Sequence, residues 1–322
     1  MSVGSTPGWR ASAAELCTSL SRAGARVATV DTGRLRRVRT FALTDFVEAA
    51  AAHRACRRGI DESEPAALIY CSMTAALLWP RPGAIWLDAI AAENRPGRHG
   101  LWQRPVERRR LRQSPLVLAM SERALAPADR ALVSGGPVVL PTPVDPSGPA
   151  SGARDIDVLA YAGNPDKKRL DHILSAWERA RRGDETLVVA GIDRLAEVAG
   201  VRLVGRLAPT EYRALLRRAR VFVAAPRRED YGIAPLEALA DGCMLVTTPA
   251  PGGYPALDLA RRLDPRLVRD DLVPALRAAL DDPAAGYASR AAELLRPFSR
   301  AAVDRTVSET VLPRLLTRLG AQ

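Results

Sequence analysis

Lysine is almost absent from this sequence of 322 residues. Only two of the 47 basic residues are lysines, Lys167 and Lys168, and the other 45 are arginines. Cysteine and histidine are also scarce, with four and three residues, and they form no CxxC or HxxxH pair. These absences argue against a zinc site or any other metal site and against a disulfide framework, so we expect reduced, mostly buried thiols in a cytosolic protein.

Long apolar runs are missing as well. No run approaches the roughly 20 residues that would span a bilayer. The N-terminus lacks a charged segment followed by an apolar core, so the sequence predicts no signal peptide. We therefore expect a cytoplasmic protein, and any contact with a membrane would be peripheral, at its inner face.

The formal net charge of +11 raises the question of a nucleic-acid partner. The arginines are spread along the chain, with one local cluster in RPVERRRLRQ, residues 104–113. This cluster is either a solvated helix face or a surface attracted to anionic lipid head groups or to a charged acceptor. Nucleic-acid binding would need basic residues interleaved with aromatic residues on one face. The sequence does not show that arrangement, so we predict no nucleic-acid partner.

Short apolar runs alternate with amphipathic segments along most of the chain. This alternation predicts right-handed βαβ units and parallel sheets covered by helices on both faces. A stretch rich in proline, glycine and serine, residues 141–155, separates two such halves. We predict an N-terminal domain over 1–145, a C-terminal domain over 146–298, and a last helix over 299–322 that could pack back on the N-terminal domain.

The first domain has little room for the strand that normally opens a doubly wound fold. The loop-like GSTPG begins at Gly4, which leaves only three residues before it, so we expect a truncated first strand. The sequence then predicts a helix that ends at Gly24 and a strand over 26–30. In the second half it predicts a short helix from Asp193.

Two glutamates stand eight positions apart in REDYGIAPLEALADG, with Gly232 between them. Pro235 suits the first helical position, which makes Ala234 the N-cap and puts Glu237 third in the helix. Taken singly, Glu237 could complete a capping box, although Ala234 is a poor N-cap for one, and Glu229 could be an ordinary loop carboxylate. As a pair around a helix N-terminus, they favour a phosphorylated ligand that also carries hydroxyl groups.

The two lysines are adjacent and follow the first predicted strand of the second half. Loops at the carboxyl ends of parallel strands face the ligand crevice in such folds. A compact ammonium group there can neutralise a diphosphate leaving group. The alternative is a solvated pair at the start of a helix.

The second half resembles the nucleotide-sugar-binding domain of the retaining GT-B glycosyltransferases of group 1, often called GT4. The resemblance covers about residues 155–253 and is looser in the first half. It implies an α/β fold with two Rossmann-like doubly wound domains facing across a cleft. It also implies transfer of a sugar from a nucleoside-diphosphate sugar to a glycan, lipid or small-molecule acceptor. This transfer would retain the anomeric configuration of the sugar and would need no metal or cofactor. The matching segments are YAGNPDKKRLDHILSAW, LVVAG, VRLVGRLAPTEYRALLRRARVFVAAP and REDYGIAPLEALADGCMLVTTPAPGG.

The resemblance assigns roles to matching positions. Glu237 would bind the ribose hydroxyls, Glu229 would hold the hydroxyls of the donor sugar, and Lys168 would contact the diphosphate. The base would rest on the loop that contains Arg206. The remaining donor-binding candidates are the backbone N–H groups of Gly232, Ile233 and Ala234, together with Lys167, Asn164 and Gly8.

Three positions depart from the family pattern. Asn164 stands where the family usually has arginine, so a phosphate contact could be lost or supplied by Lys167 or Arg169 instead. Gly8 stands alone where a glycine pair is common. Asp88 is the nearest match to the histidine that the family often carries near the acceptor, and it could equally cap a turn at a strand end.

Two other functions remain open at this point. A nucleotide-sugar epimerase would need acid and base residues in the crevice, and the few histidines count against it. A binding protein that has lost catalysis would account for the missing arginine and the short first strand. Glu229 is expected to position the sugar and is not expected to be a nucleophile, because no second carboxylate is identifiable beside it.

Overall fold

The computed structural model describes residues 2–3, 7–33, 35, 40–95, 97–149 and 154–317. The chain divides into two compact units. The first comprises Met1–Pro143 together with Arg300–Gln322, and the second comprises Val144–Ser299. Each unit is built around one parallel β-sheet with helices between its strands, so the prediction of two doubly wound α/β domains is confirmed.

The sheet of the first unit has the strand order β2-β1-β3-β4-β5-β6. Strand β1 has two residues and lies between β2 and β3, with Ser2 opposite Val30 on one side and Tyr70 on the other. The predicted strand over 26–30 is wrong except for its last residue, because β2 pairs only with the two residues of β1. The strands are β1 (Ser2–Val3), β2 (Val30–Asp31), β3 (Ile69–Cys71), β4 (Ala84–Leu87), β5 (Val117–Ala119) and β6 (Val138–Val139).

Helix α1 begins earlier than predicted, at Pro7. Proline fits a first helical turn because the N–H group that it lacks would have no partner there. Gly8 therefore lies inside α1, and its placement in a loop before the helix is wrong; the loop residues 4–6 lie outside the described residues. The helices are α1 (Pro7–Arg22), α2 (Phe41–Ser63), α3 (Met73–Leu77), α4 (Ala91–Asn94), α5 (Gln103–Gln113) and α6 (Pro127–Arg130), with a 3₁₀ turn at Gly97–Gly100.

The sheet of the second unit has the order β11-β10-β7-β8-β9. The chain moves outward from β7 to β9 and then crosses to the other side for β10 and β11. The neighbours β7 and β10 are therefore the point at which the strand order reverses. The strands are β7 (Ile156–Tyr161), β8 (Leu187–Ala190), β9 (Val201–Leu203), β10 (Ala219–Ala224) and β11 (Met244–Thr247).

The helix predicted from Asp193 is absent from the connection between β8 and β9, all of which is described. Only ten residues join the two strands, and Gly191 and Gly200 at their ends adopt left-handed backbone angles, so too few remain for a stable helix. The helices of this unit are α7 (Pro165–Lys168), α8 (Leu170–Ala180), α9 (Pro209–Arg218), α10 (Ile233–Ala240), α11 (Pro255–Leu263), α12 (Leu272–Asp281) and α13 (Tyr287–Leu294), with 3₁₀ turns at Pro265–Leu267 and Arg296–Phe298.

The last helical segment belongs to the first unit and packs against α1. It consists of α14 (Arg300–Thr306), a π-helical turn (Val307–Val311) and α15 (Leu312–Thr317). An ion pair of 3.0 Å between Arg22 and Asp304 joins α1 to α14. Across the described ranges, no helix is both long and apolar enough to cross a membrane.

Candidate functional site

The carboxyl ends of β7 and β10 lie side by side in the sheet of the second unit. Ligands of doubly wound sheets bind outside the strand ends where the order reverses. The segment after β7 carries Lys167 and Lys168, and the segment after β10 carries Glu229 and Gly232. The two segments are joined directly, because the backbone N–H of Arg227 donates to the carbonyl of Lys167 at 2.9 Å. The fold thus brings together residues about 60 positions apart.

Glu229 is 7% exposed and is held between the two lysines. The ammonium of Lys168 donates a hydrogen bond to its Oε2. The Nζ of Lys167 lies 3.6 Å from its Oε1. A nearly buried carboxylate is costly unless it is paired, and these two contacts pair Glu229 with cations. Both predicted phosphate-binding lysines therefore lie within reach of the predicted sugar-binding carboxylate.

Asn164 caps the short helix that carries the lysines. Its Oδ1 accepts a hydrogen bond from the backbone N–H of Lys167 at 3.0 Å. Pro165 follows as the first helical residue, and Arg169 ends the turn with a left-handed φ of 50°. The amide of Asn164 thus fixes the position of the lysines through their backbone.

Gly232 has a backbone conformation that strongly favours glycine, with φ of 76°. A Cβ atom there would lie 2.7 Å from Cε2 of Tyr254 and 3.0 Å from Cγ of Glu229. The Tyr254 side chain is 1% exposed, so its ring cannot easily move away. The tight packing of these three residues fixes the start of α10 against Glu229.

Helix α10 begins two residues earlier than predicted. Its N-cap is Gly232 and its first residue is Ile233, so the assignment of Ala234 as N-cap and of Glu237 as the third helical residue is wrong. Pro235 is the third residue instead, which the helix tolerates because its first four N–H groups have no internal partner. In the described part of the chain, the N–H groups of Ile233 and Ala234 make no hydrogen bond. They are available to an anion, which the helix dipole also favours at this end.

A small pocket opens between these segments. Lys168 and Glu229 line it together with Ala234 and Pro235 at the start of α10. An ammonium group, free backbone donors and a carboxylate thus face one space, an arrangement that can bind a phosphate group and an adjacent hydroxyl. The other lining residues are Tyr161, Ile173, Phe222, Val223, Ala224, Ala225, Pro226 and Tyr254.

Glu237 lies one turn further along α10, with its side chain 24% exposed. Its Oε1 is 3.6 Å from Nη1 of Arg213. Arg213 is held in turn by Asp241, to whose Oδ2 it donates at 2.6 Å, and by the carbonyl of Asp145, to which it donates at 2.7 Å. Partial burial raises the pKa of Glu237 to about 7, and Asp241 adds to the rise, whereas Arg213 opposes it.

The structure does not join every predicted residue to this group. Arg206 follows β9 and is largely exposed, with its Nε 3.9 Å from Asp193. Gly8 and Asp88 belong to the first unit, where Gly8 is exposed in α1 and Asp88 is half-buried just after β4. Their predicted roles stay predictions.

Two residues of the site were missed from the sequence. Tyr254 directly follows the glycine pair of APGGY, which indicated a loop but not an aromatic ring beneath Gly232. Arg213 lies in α9, 24 positions from Glu237, and no local pattern links the two. Contacts of this kind depend on the packing of separate helices.

Comparison with known families bears on this geometry. Residues 156–282, which contain all elements from β7 to α12, match the family described as glycosyl transferases, group 1. The second unit is a group 1 glycosyltransferase domain. The predictions of this family and of a glycosyltransferase, EC class 2.4, are therefore confirmed. Among curated proteins, none matches the sequence.

Solved structures of glycosyltransferases share the fold over nearly the whole chain. WaaG, a glycosyltransferase involved in lipopolysaccharide biosynthesis, has 14% identity and a TM-score of 0.69, with 96% of this chain and 97% of that chain covered. Sucrose-phosphate synthase from Thermosynechococcus elongatus has 16% identity and a TM-score of 0.64, with coverages of 91% and 83%. Anabaena HepE, solved with UDP and glucose, has 14% identity and a TM-score of 0.62, with coverages of 92% and 88%. At these identities the likeness establishes the GT-B fold class alone.

Proposed function

We propose that this group 1 glycosyltransferase moves a sugar from a nucleoside-diphosphate sugar to an acceptor, with retention of the anomeric configuration and without a metal ion. The observation that carries the proposal is the contact of Lys168 with Glu229 beside the free N-terminus of α10. The acceptor is a glycan, a lipid or a small molecule. We include in the proposal a peripheral contact with an anionic membrane surface.

The donor would bind with its diphosphate at the start of α10. The N–H groups of Gly232, Ile233 and Ala234 and the ammonium of Lys168 would donate to the phosphate oxygens. Lys168 contacts Glu229 in the structure, so the diphosphate would take over one of the hydrogen bonds of its ammonium, and Lys167 would remain near the carboxylate. Glu229 could then accept hydrogen bonds from the hydroxyl groups of the sugar.

The chemistry follows from where charge develops. As the bond between the sugar and the diphosphate breaks, negative charge grows on the leaving oxygen. Once the donor is bound, Lys168 and the helix N-terminus would lie beside that oxygen, so they would stabilise the charge of the transition state. Glu237 would accept hydrogen bonds from the ribose hydroxyls and so fix the position of the nucleotide. The role of Glu229 is to position the sugar.

One observation favours a second function, the binding of a nucleotide sugar without efficient transfer. Asn164 replaces the arginine expected from the family pattern, and its amide is engaged as a helix cap. It therefore supplies no charge to the diphosphate. A transfer assay separates this alternative from the proposal.

The test begins with the binding of UDP, GDP and ADP to the full chain, measured by calorimetry. We expect one of them to bind, Glu237→Ala and Lys168→Ala to weaken that binding at least tenfold, and Glu229→Gln to leave it within about threefold. Exposed Arg262→Ala removes a charge of the same sign and is the matched control.

Transfer is then measured with the sugar conjugates of the nucleotide that binds. Glu229→Gln should abolish transfer while nucleotide binding persists, a chelator should have no effect, and the product should keep the anomeric configuration of the donor. Normal transfer by both Glu229→Gln and Glu237→Ala would overturn the assigned roles. Nucleotide binding by wild type without transfer to any acceptor would favour the second function.

A further inference from the structure

The positive charge of this protein is concentrated in one unit. Met1–Pro143 with Arg300–Gln322 contains 24 arginines against 14 acidic residues, an excess of +10, whereas Val144–Ser299 contains 23 basic against 22 acidic residues. A general preference for arginine would affect both units alike. The imbalance arises from the small number of acidic residues in the first unit, which points to a property of its surface.

The acidic side chains of α5 and of the N-terminal half of α2 are mostly turned inward. Asp45 is 3% exposed and accepts hydrogen bonds from Arg95, at 2.7 and 2.8 Å, and from Gln103, at 3.0 Å. Glu107 is 2% exposed and accepts from the backbone N–H of Ala91 at 2.8 Å. Both carboxyl groups are thus used inside the unit and do not neutralise its outer surface.

The arginines of the same region are turned outward. Arg98, on the 3₁₀ turn before α5, and Arg109 and Arg112, on α5 itself, are exposed, and within the described residues they pair with no carboxylate. Unpaired arginines at the surface attract anions from solution, and this attraction is screened by salt. The exposed face of α2 continues the basic surface with Arg54, Arg57 and Arg58.

Exposed apolar side chains lie among these arginines. Five large apolar or aromatic side chains are prominently exposed in the described part of the chain, and three of them are here: Leu43 at 49%, Phe46 at 50% and Leu101 at 69%. The ring of Phe46 lies 6.0 Å from that of Trp102, whose Nε1–H donates to the carbonyl of Ala42 at 3.2 Å. The N-terminal ends of α2 and α5 are therefore adjacent, and their apolar side chains belong to one surface.

We propose that this surface docks on the anionic face of a lipid bilayer. It is called the α2–α5 surface and consists of Leu43, Phe46, Leu101, Arg98, Arg109 and Arg112. The apolar side chains would enter the boundary between head groups and acyl chains, and the arginines would contact lipid phosphates. The inference rests on the proposed function, whose membrane contact it assigns to named residues.

The chemistry of the surface favours a bilayer over a nucleic acid. Exposed aliphatic side chains such as Leu43 and Leu101 gain free energy in an acyl region but gain little against a sugar-phosphate backbone. Stacking on bases would need several exposed aromatic rings, and of the six residues of the α2–α5 surface only Phe46 has one.

The test is co-sedimentation of the full chain with vesicles of phosphatidylcholine alone or mixed with phosphatidylglycerol, at low and at physiological salt. We expect binding only to the anionic vesicles, weaker at the higher salt. Each arginine near an anionic surface contributes about a fivefold factor in affinity. The affinity of the triple variant R98A/R109A/R112A for anionic vesicles should therefore fall on the order of a hundredfold. The variant L43S/F46S/L101S should also bind more weakly, with the salt dependence retained.

A control triple variant, R262A/R269A/R296A, removes the same charge from exposed sites of the second unit and should bind like wild type. Unchanged thermal unfolding of every variant shows that the loss is not a folding defect. The proposal is overturned if wild type does not bind anionic vesicles at low salt, or if the control triple variant loses as much affinity as R98A/R109A/R112A. It is also overturned if duplex DNA at equal phosphate concentration displaces the protein from the vesicles completely. Nucleotide binding is measured on the same samples. A loss of vesicle binding can therefore be distinguished from a loss of nucleotide binding at the proposed donor site.

Discussion

At the scale of single residues, the two carboxylates of the site differ in the cations that surround them. Glu229 is nearly buried and neutralised by two lysines, while Glu237 is only partly buried and has one arginine at 3.6 Å. The two carboxylates of one motif therefore have different electrostatic environments. This difference suits different tasks, because Glu229 is already paired with cations and Glu237 has a pKa near neutrality.

The pKa of Glu237 predicts a pH dependence of nucleotide binding. With a pKa of about 7, the side chain is a carboxylate above pH 7 and is protonated below it. A carboxylate accepts two hydroxyl hydrogen bonds and the protonated acid accepts fewer, so affinity should rise with pH through 7. We expect a fall of up to about tenfold per pH unit below that value, measured by calorimetry. Glu237→Gln is the control for titration of the ligand itself, and an identical pH profile in both proteins would contradict the assignment.

Gly232→Ala should weaken both stability and nucleotide binding. The left-handed backbone angle costs a non-glycine residue about 1–2 kcal/mol, and the new Cβ would also press on Tyr254. Gly183→Ala is the matched control, because Gly183 has a φ of 53° and open space around it. Denaturant unfolding should show a larger loss for Gly232→Ala, and its nucleotide affinity alone should fall. Equal effects of the two substitutions would mean that the packing on Tyr254 does not matter.

At the scale of elements, helix ends are held by side chains from elsewhere in the chain. Asp241, the C-cap of α10, accepts hydrogen bonds from the backbone N–H and the hydroxyl of Ser147, at 2.7 and 3.0 Å. The segment Asp145–Ser147 is thereby attached to the helix whose other end belongs to the proposed donor site. Helix α4 has no side-chain bond from its own N-cap Ile90, and Glu107 of α5 accepts from its first N–H instead.

The raised pKa of Glu107, which joins α4 to α5, predicts that the stability of the protein depends on pH. Burial raises its pKa from 4.5 to about 7 in the folded state. Its contribution to stability is therefore fully present below about pH 4.5 and is lost as the pH rises through 7. Relative to Glu107→Gln, which keeps the acceptor, wild type should lose about 3 kcal/mol over that range. Exposed Glu62→Gln should leave the curve unchanged, and parallel curves for wild type and Glu107→Gln in denaturant unfolding would refute the burial argument.

At the scale of the whole molecule, the last helical segment completes the unit that contains the N-terminus. The segment packs on α1 through α14 and the π-helical turn. Its buried side chains recur every four residues; they are Val303, Val307, Val311 and Leu315. Burial of such a stripe stabilises the first unit by several kcal/mol. The Lys168, Glu229 and Gly232 residues of the proposed donor site lie in the second unit, which does not include this segment.

Val311→Asp should therefore destabilise one unit selectively. An unpaired charge at a fully buried position is expected to cost about 3–5 kcal/mol. Four of the five tryptophans belong to the first unit, so the unfolding midpoint followed by tryptophan fluorescence should fall. Nucleotide affinity at low temperature should stay within about twofold, because none of the donor-site contacts is altered. Ser308→Asp, at an exposed neighbour, is the control; lost nucleotide binding in Val311→Asp would show coupling between the units.

The alternation of strands and helices could be predicted from the sequence, because apolar runs and helical periodicity are local signals. The motif around Glu229 and Glu237 and the adjacent lysines were identified in the same way, and the family match of this segment agrees with them. Errors occurred at helix starts and at short elements. Helix α10 begins at Ile233 because Gly232 before it adopts a left-handed backbone angle, and no local pattern encodes how closely Gly232 lies to Tyr254.

The sequence by itself determined the fold class, the family of the second half and the residue types available for chemistry, since these depend on composition and on short-range periodicity. Only the tertiary structure decided which of those residues meet. It placed Lys168 on Glu229 and Arg213 near Glu237, and it turned Asp45 inward beneath an exposed basic surface. The physical reason is that such contacts join residues on separate elements, whose relative positions depend on the packing of the whole unit.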